Sequence, residues 1–184
     1  SKAAPGVYFQ SAGENIWHPL KTDFGVSPGQ RGANPVSLTF DSAARKLYVS
    51  VVNSDPLKDG IYVLSIATSS WSKLPQPLRN GTPVQHPYTV TALPSGDLVA
   101  TYCAHQVGDA SVFPSSLTNG AFKPSSGVFY LPLGSATWID RTKNEMRYFT
   151  RDLIVDPHDP SGMTWFACVW NADSNVVTPA APAD

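Results

Sequence analysis

Short runs in which apolar and polar residues alternate, each bounded by turn-forming residues, recur along the whole chain and read as antiparallel strands. Residues 6–10 and 16–20 flank a turn at 12–15. Residues 35–40, carrying Val36, Leu38 and Phe40 on alternate positions, turn through 41–44 and return at 47–52. The same order follows at 88–93, a turn at 94–97 and 98–104, and again at 152–155, a turn at 156–162 and 164–170. A second hairpin is set in a repeated frame: Gly6-Val7-Tyr8 leads to Trp17, Gly60-Ile61-Tyr62 to Trp71 and Gly127-Val128-Phe129 to Trp138, each tryptophan eleven residues after its glycine.

With strands lettered by position in a four-stranded unit, the chain predicts C-D, A-B-C-D, A-B-C-D, A-B. The frames start 54 and then 67 residues apart, near the one-unit period of β-propellers. The expected fold is all-β: four-stranded antiparallel blades, about three per chain, over residues 1–175, with a Pro/Ala-rich tail at 176–184. Propellers need four to eight blades to close. The expected partner is therefore a second copy of the chain, giving a six-bladed ring, or a complementary propeller chain. The three frame tryptophans are expected in the core, since burying such a ring removes about 150–250 Å² from water.

Composition narrows the function classes. Charged residues make up 15% of the chain and the formal net charge is -1, which predicts neither a nucleic acid nor an anionic membrane as partner. No apolar run approaches the roughly 20 residues of a membrane-spanning helix. The start at Ser1, without an apolar signal segment, reads as a processed form or an excerpt. Cys103 and Cys168 lack metal-ligand spacing and read as two buried thiols; neither a metal nor a cofactor is expected. Asn80-Gly81-Thr82 is at once a glycosylation sequon and an Asn-Gly turn signal; with the low charge and many Ser and Thr it leans towards a secreted protein.

With these frames in place, the sequence resembles the Asp-box (BNR-repeat) propellers of sialidases and of xyloglucanase-type glycoside hydrolases. The resemblance rests on the glycine–tryptophan frames and on Arg151-Asp152-Leu153-Ile154-Val155-Asp156-Pro157-His158-Asp159-Pro160, a strand running into a D-P-x-D-P turn ahead of an aromatic strand. It implies a propeller that acts on or binds glycans. The motifs are degenerate: an Asp box places Ser, Asp and Gly ahead of the Trp, with the Asp bonding turn amides, and no frame here carries that Asp. Ser65-Ile66-Ala67-Thr68-Ser69-Ser70-Trp71 and Gly134-Ser135-Ala136-Thr137-Trp138 are closer to kelch-like turns. Neither a sialidase arginine triad from Arg31, Arg79 and Arg151 nor the catalytic Asp of the xyloglucanase type can be assigned.

Propeller ligands approach the face built from B–C and D–A connections. Here those are 53–59 and 105–126, with 21–34, 76–87 and 143–150, and the 105–126 loop is long enough to be functional. Candidate ligand-binding residues are Arg31, His86, Tyr88, His105, Trp170 and Asn171. Glycoside hydrolysis needs two carboxyl groups across the bond, and Asp55 or Asp59 facing Asp109 is the candidate pair. Against it, Asp55-Pro56 and Lys58-Asp59-Gly60 have the composition of turn formers. Asp156 and Asp159, on the opposite rim, read as a structural Asx-type turn. Two functions are thus expected: a glycan-active propeller related to glycoside hydrolases, or a non-catalytic lectin-like or scaffold module that completes its ring by homodimerisation.

Overall fold

The computed structural model of the chain describes residues 5–25, 33–53, 55–103, 126–143 and 149–170. These residues are all-β: antiparallel sheets of two to four strands, with no helix among them. β1 (Val7–Phe9) pairs with β2 (His18–Lys21). β3 (Asn34–Asp41), β4 (Lys46–Val52), β5 (Gly60–Ser65) and β6 (Ser70–Lys73) form a meander in chain order. β9 (Pro87–Ala92), β10 (Leu98–Tyr102), β11 (Gly127–Leu131) and β12 (Ile139–Asp140) form a second one, and β13 (Phe149–Val155) pairs with β14 (Trp165–Trp170). Between the meanders, β7 (Leu78–Arg79) and β8 (Thr82–Pro83) make a hairpin that the alternation did not predict. Its turn is Asn80-Gly81, with φ of 52° and 78°, the backbone that Asn-Gly favours.

The four larger sheets stack in chain order, each meeting the next through its own apolar cluster. Val7, Phe24, Val49 and Val51, with Trp71 against them, join the first sheet to the second. Tyr48, Ile61, Val63, Val90, Ala100, Tyr102 and Phe129 join the second to the third. Val99, Val128 and Leu153, with Trp165 and Ala167, join the third to the fourth. The meanders thus send successive side chains to two different cores, which is why their central strands read as nearly unbroken apolar runs. Polar ties cross the same gaps: Thr39 Oγ1 donates to the Val90 carbonyl at 2.5 Å, and Thr101 Oγ1 donates to the Arg151 carbonyl.

The frame glycines have a steric cause. Gly60 and Gly127 open β5 and β11 at φ of 145° and 141°. A Cβ on Gly127 would run into the Thr142 side chain, and one on Gly60 would lie 2.5 Å from Lys73 Cε. The frame tryptophans diverge. Trp138 is buried and its Nε1 donates to the Pro75 carbonyl at 2.7 Å; Trp71 meets Phe24 edge-on at 6.1 Å. Trp17, expected in the core, is 64% exposed. Both packed tryptophans lean on the segment that follows the preceding sheet, and β1–β2 has no preceding sheet among the described residues.

The D-P-x-D-P segment is the structural turn the composition predicts. The Asp159 carboxylate accepts from the Ser161, Met163 and Thr164 amides at 2.8–3.0 Å, and Asp156 accepts from the His158 amide. These bonds, with that of the Ser161 hydroxyl first, hold the Asp159 carboxyl far below the usual range.

Candidate functional site

The connections entering β5 and β9 and leaving β10 meet on the rim opposite the Asp159 turn, and at their centre lies Asp59. Residues 55–59 wind into a tight turn in which the Lys58 and Asp59 amides both donate to the Asp55 carbonyl. The Asp55 carboxylate accepts from the Leu57 amide at 3.0 Å and lies 3.5 Å from Lys58 Nζ. This turn points Asp59 inward, where it is 0% exposed. Its carboxylate accepts from the Asn53 amide at 3.0 Å, the His86 amide at 2.8 Å and His86 Nδ1 at 3.0 Å. A buried carboxylate needs such donors.

His86 takes a left-handed backbone, φ 64°, a conformation that costs a non-glycine residue of order 1 kcal/mol or more. Three bonds hold it there, the third donated by the Cys103 amide to its carbonyl at 2.9 Å. Carboxylate oxygens only accept, so Nδ1 carries a proton, and in the neutral ring Nε2 is then an acceptor. Among the described residues nothing bonds Nε2, and the ring is 13% exposed. Two amides extend the network: Asn53 Nδ2 donates to the Phe24 carbonyl at 3.2 Å, and Gln76 Nε2 donates to the Pro56 and Asp59 carbonyls. Burial first, and then the Asp59 charge, push the Tyr102 phenol well above its usual range.

A second pair involves Tyr88, two residues further along the chain. Arg151 donates to the Tyr88 hydroxyl at 2.6 Å, and its guanidinium lies 4.7 Å from the centre of the Tyr88 ring. Both residues occupy a β-bulge at the same place in consecutive sheets, where the A strand carries one residue more than its partner. Arg79 acts elsewhere, bonding Asp140 at 2.8 Å, the Ser126 carbonyl just ahead of β11, and Thr142 Oγ1.

Of the candidate residues, Asp59 and His86 are brought into direct contact, Tyr88 follows two residues later, and Asp55 shapes the turn that delivers Asp59. Arg31, His105, Asp109 and Asn171 lie outside the described residues, as does the 105–126 loop apart from Ser126, and of Trp170 only the backbone is described. Cys103 is buried as expected, whereas Cys168, expected buried, is exposed on the outer face of β14. Asn53 and Gln76 were not singled out from the sequence. Their one signal is position, an amide side chain at the end of an apolar strand or just after one. Among the described residues no cluster of His, Cys, Asp or Glu has the makings of a metal site. Comparison with models of protein families, with curated proteins and with solved structures found no match to this chain.

Proposed function

We propose that the chain supplies three blades' worth of strands to a secreted β-propeller, and that it binds carbohydrate at the rim around His86 without cleaving it. Face-to-face stacking of antiparallel meanders in chain order supports the propeller reading. The observation that carries the binding reading is the Asp59–His86 pair. Asp59 spends its carboxylate on three N–H donors inside the protein, so it is neither a nucleophile nor a proton shuttle across a glycosidic bond. What it delivers instead is a fixed imidazole whose Nε2 accepts a sugar hydroxyl. The Tyr88 ring and the Arg151 guanidinium beside it add a flat face and further donors.

The test is a glycan array followed by calorimetry on any hits, with reducing ends assayed in parallel. We expect binding that weakens at least tenfold in His86→Asn, a substitution that tolerates the left-handed backbone, and no new reducing ends. Hydrolysis of a bound glycan would restore the catalytic reading. Absence of binding, or full affinity in His86→Asn, would remove His86 from a ligand site.

A further inference from the structure

We infer that the pocket between the 41–44 and 94–97 turns binds a free α-amino acid with an apolar side chain, its carboxylate on Lys46 and the Tyr48 hydroxyl and its ammonium on Asp41. The pocket lies at the end of β9 away from His86, and the inference does not depend on the carbohydrate reading.

The pairing of β3 with β4 puts three polar side chains on one face. Asp41 stands opposite Lys46, and Thr39 opposite Tyr48. Opposed residues of an antiparallel pair share a face, as do residues two apart on one strand. Thr39 shows which face this is, because its hydroxyl donates to the Val90 carbonyl of the next sheet. Asp41, Lys46 and Tyr48 therefore all turn to the gap between the two meanders. At its turn end that gap opens into a pocket of about 540 Å³ which all three line, a size within the range of about 300–1,000 Å³ usual for small-molecule sites. Its apolar side is the Tyr48 ring with Ala92, Pro94 and Leu133.

Each of the three polar groups has bonding capacity left over. Tyr48 is 4% exposed, and among the described residues its hydroxyl has no hydrogen-bond partner. The hydroxyls sealed from solvent without a partner are those of Ser37 and Ser50, so the Tyr48 oxygen is the part of that buried side chain that reaches the pocket. Burial first, and then the Asp41 charge, raise the phenol above its usual range, which keeps it a donor. Lys46 and Asp41 are both half-buried, and although they stand opposite each other no ion pair joins them. Asp41 turns Oδ1 to the Ala44 amide at 2.9 Å instead. Its Oδ2 and the Lys46 ammonium have no partner among the described residues.

Charge complementarity selects the ligand. A simple anion would meet Asp41, and a simple cation would meet Lys46. A molecule with both charges a few bonds apart satisfies the two together, with the phenol as a second donor to its carboxylate. A free α-amino acid is such a molecule, and the wall of Ala92, Pro94, Leu133 and the Tyr48 ring takes an apolar side chain.

The experiment titrates L-leucine and L-phenylalanine into the 184-residue chain, read by calorimetry and by backbone amide shifts. Binding in the millimolar range or tighter is expected. N-acetyl-L-leucine, which lacks the ammonium, and L-leucinamide, which lacks the carboxylate, should each bind about tenfold more weakly or worse, the scale of a lost hydrogen bond to a charged group. Lys46→Met should weaken L-leucine by about the same factor, and Tyr48→Phe, which keeps the ring in the core, by about threefold to tenfold. Asp41→Asn can still accept from the Ala44 amide and should narrow the gap between L-leucine and its N-acetyl form. His86→Asn should leave L-leucine binding unchanged. Absence of any shift at about 10 mM of either amino acid, well above the affinity expected of a site with this many partners, overturns the inference. Equal binding of N-acetyl-L-leucine overturns the zwitterion, and unchanged affinity in both Lys46→Met and Tyr48→Phe overturns the location. Glucose moving the same amides as strongly would overturn the ligand class.

Discussion

The Asp59 carboxylate grips His86 twice, by the backbone amide at 2.8 Å and by ring Nδ1 at 3.0 Å. The two residues lie just ahead of strands in different sheets, so a single buried carboxylate fixes both the course of the chain into β9 and the side of the ring that carries a proton. Asp59→Ala should lower stability by about 3 kcal/mol, since three buried N–H donors lose their acceptor and each orphaned group costs about 1–3 kcal/mol. Urea unfolding measures that loss. A loss under about 1 kcal/mol would mean that water replaces the carboxylate. In Asp59→Asn, nitrogen NMR of the imidazole should show His86 departing from the single Nδ1–H form.

That pair also marks where the sequence ran out. The frame glycines and the hairpin turns were legible because Gly at positive φ and alternate apolar positions are local signals. Asp59 was legible only as one candidate of a catalytic pair and not as a buried anchor, because Lys58-Asp59-Gly60 has the composition of an exposed turn, and only the winding of residues 55–59 turns the carboxylate inward. The bulges that place Tyr88 and Arg151 side by side break the alternation by one residue, so no period-two count locates them. Trp17 was misplaced for a different reason. Its local frame matches Trp71 and Trp138, but burial is decided by a neighbouring sheet that the frame cannot specify.

Stability should fall on the acid side through three carboxylates. Bonds from the Ser95 hydroxyl, the Leu133 amide and the Tyr130 hydroxyl hold Asp97 low, and Asp159 is held low by its turn. Burial pushes Asp140 up, but bonds from Arg79 and Thr142 outweigh it and leave it lowered. Each folded value lies below the unfolded one of about 3.9. The stabilisation is therefore present above about pH 4 and lost as pH falls through the folded values. A thermal melt series should show Tm dropping below about pH 4, with a shallower drop in Asp97→Asn and in Asp159→Asn. An identical acid limb in both variants would place the loss elsewhere.

Gly127→Ala should cost more than Gly81→Asn. At Gly127 a side chain meets both a φ of 141° and the Thr142 side chain, and Thr142 Oγ1 is itself engaged with the Val128 amide and Arg79. Strain of this kind alone costs about 1–3 kcal/mol. Gly81 has φ 78° with nothing within 4 Å of an added Cβ, a conformation asparagine adopts readily, so its replacement should change stability by less than about 1 kcal/mol. Chemical denaturation of the two variants side by side decides the order. Equal losses would show that positive φ, rather than the approach of Thr142, sets the glycine requirement.

Ser50 and Thr101 occupy the same repeat position, yet their hydroxyls have opposite energetics. Thr101 Oγ1 bonds the Arg151 carbonyl across the sheet gap and also meets Thr89 Oγ1 at 2.7 Å. Ser50 is 0% exposed, and its Oγ is buried without a hydrogen-bond partner. Removing a satisfied buried hydroxyl leaves its partners orphaned, whereas removing an unsatisfied one relieves a desolvation penalty. Thr101→Val should therefore destabilise by about 1–2 kcal/mol, while Ser50→Ala should be neutral or stabilising by up to about 1 kcal/mol. Urea midpoints of the two variants give the comparison. A destabilised Ser50→Ala would mean that a water or an unseen partner satisfies Ser50, and the contrast between the two sheet gaps would disappear.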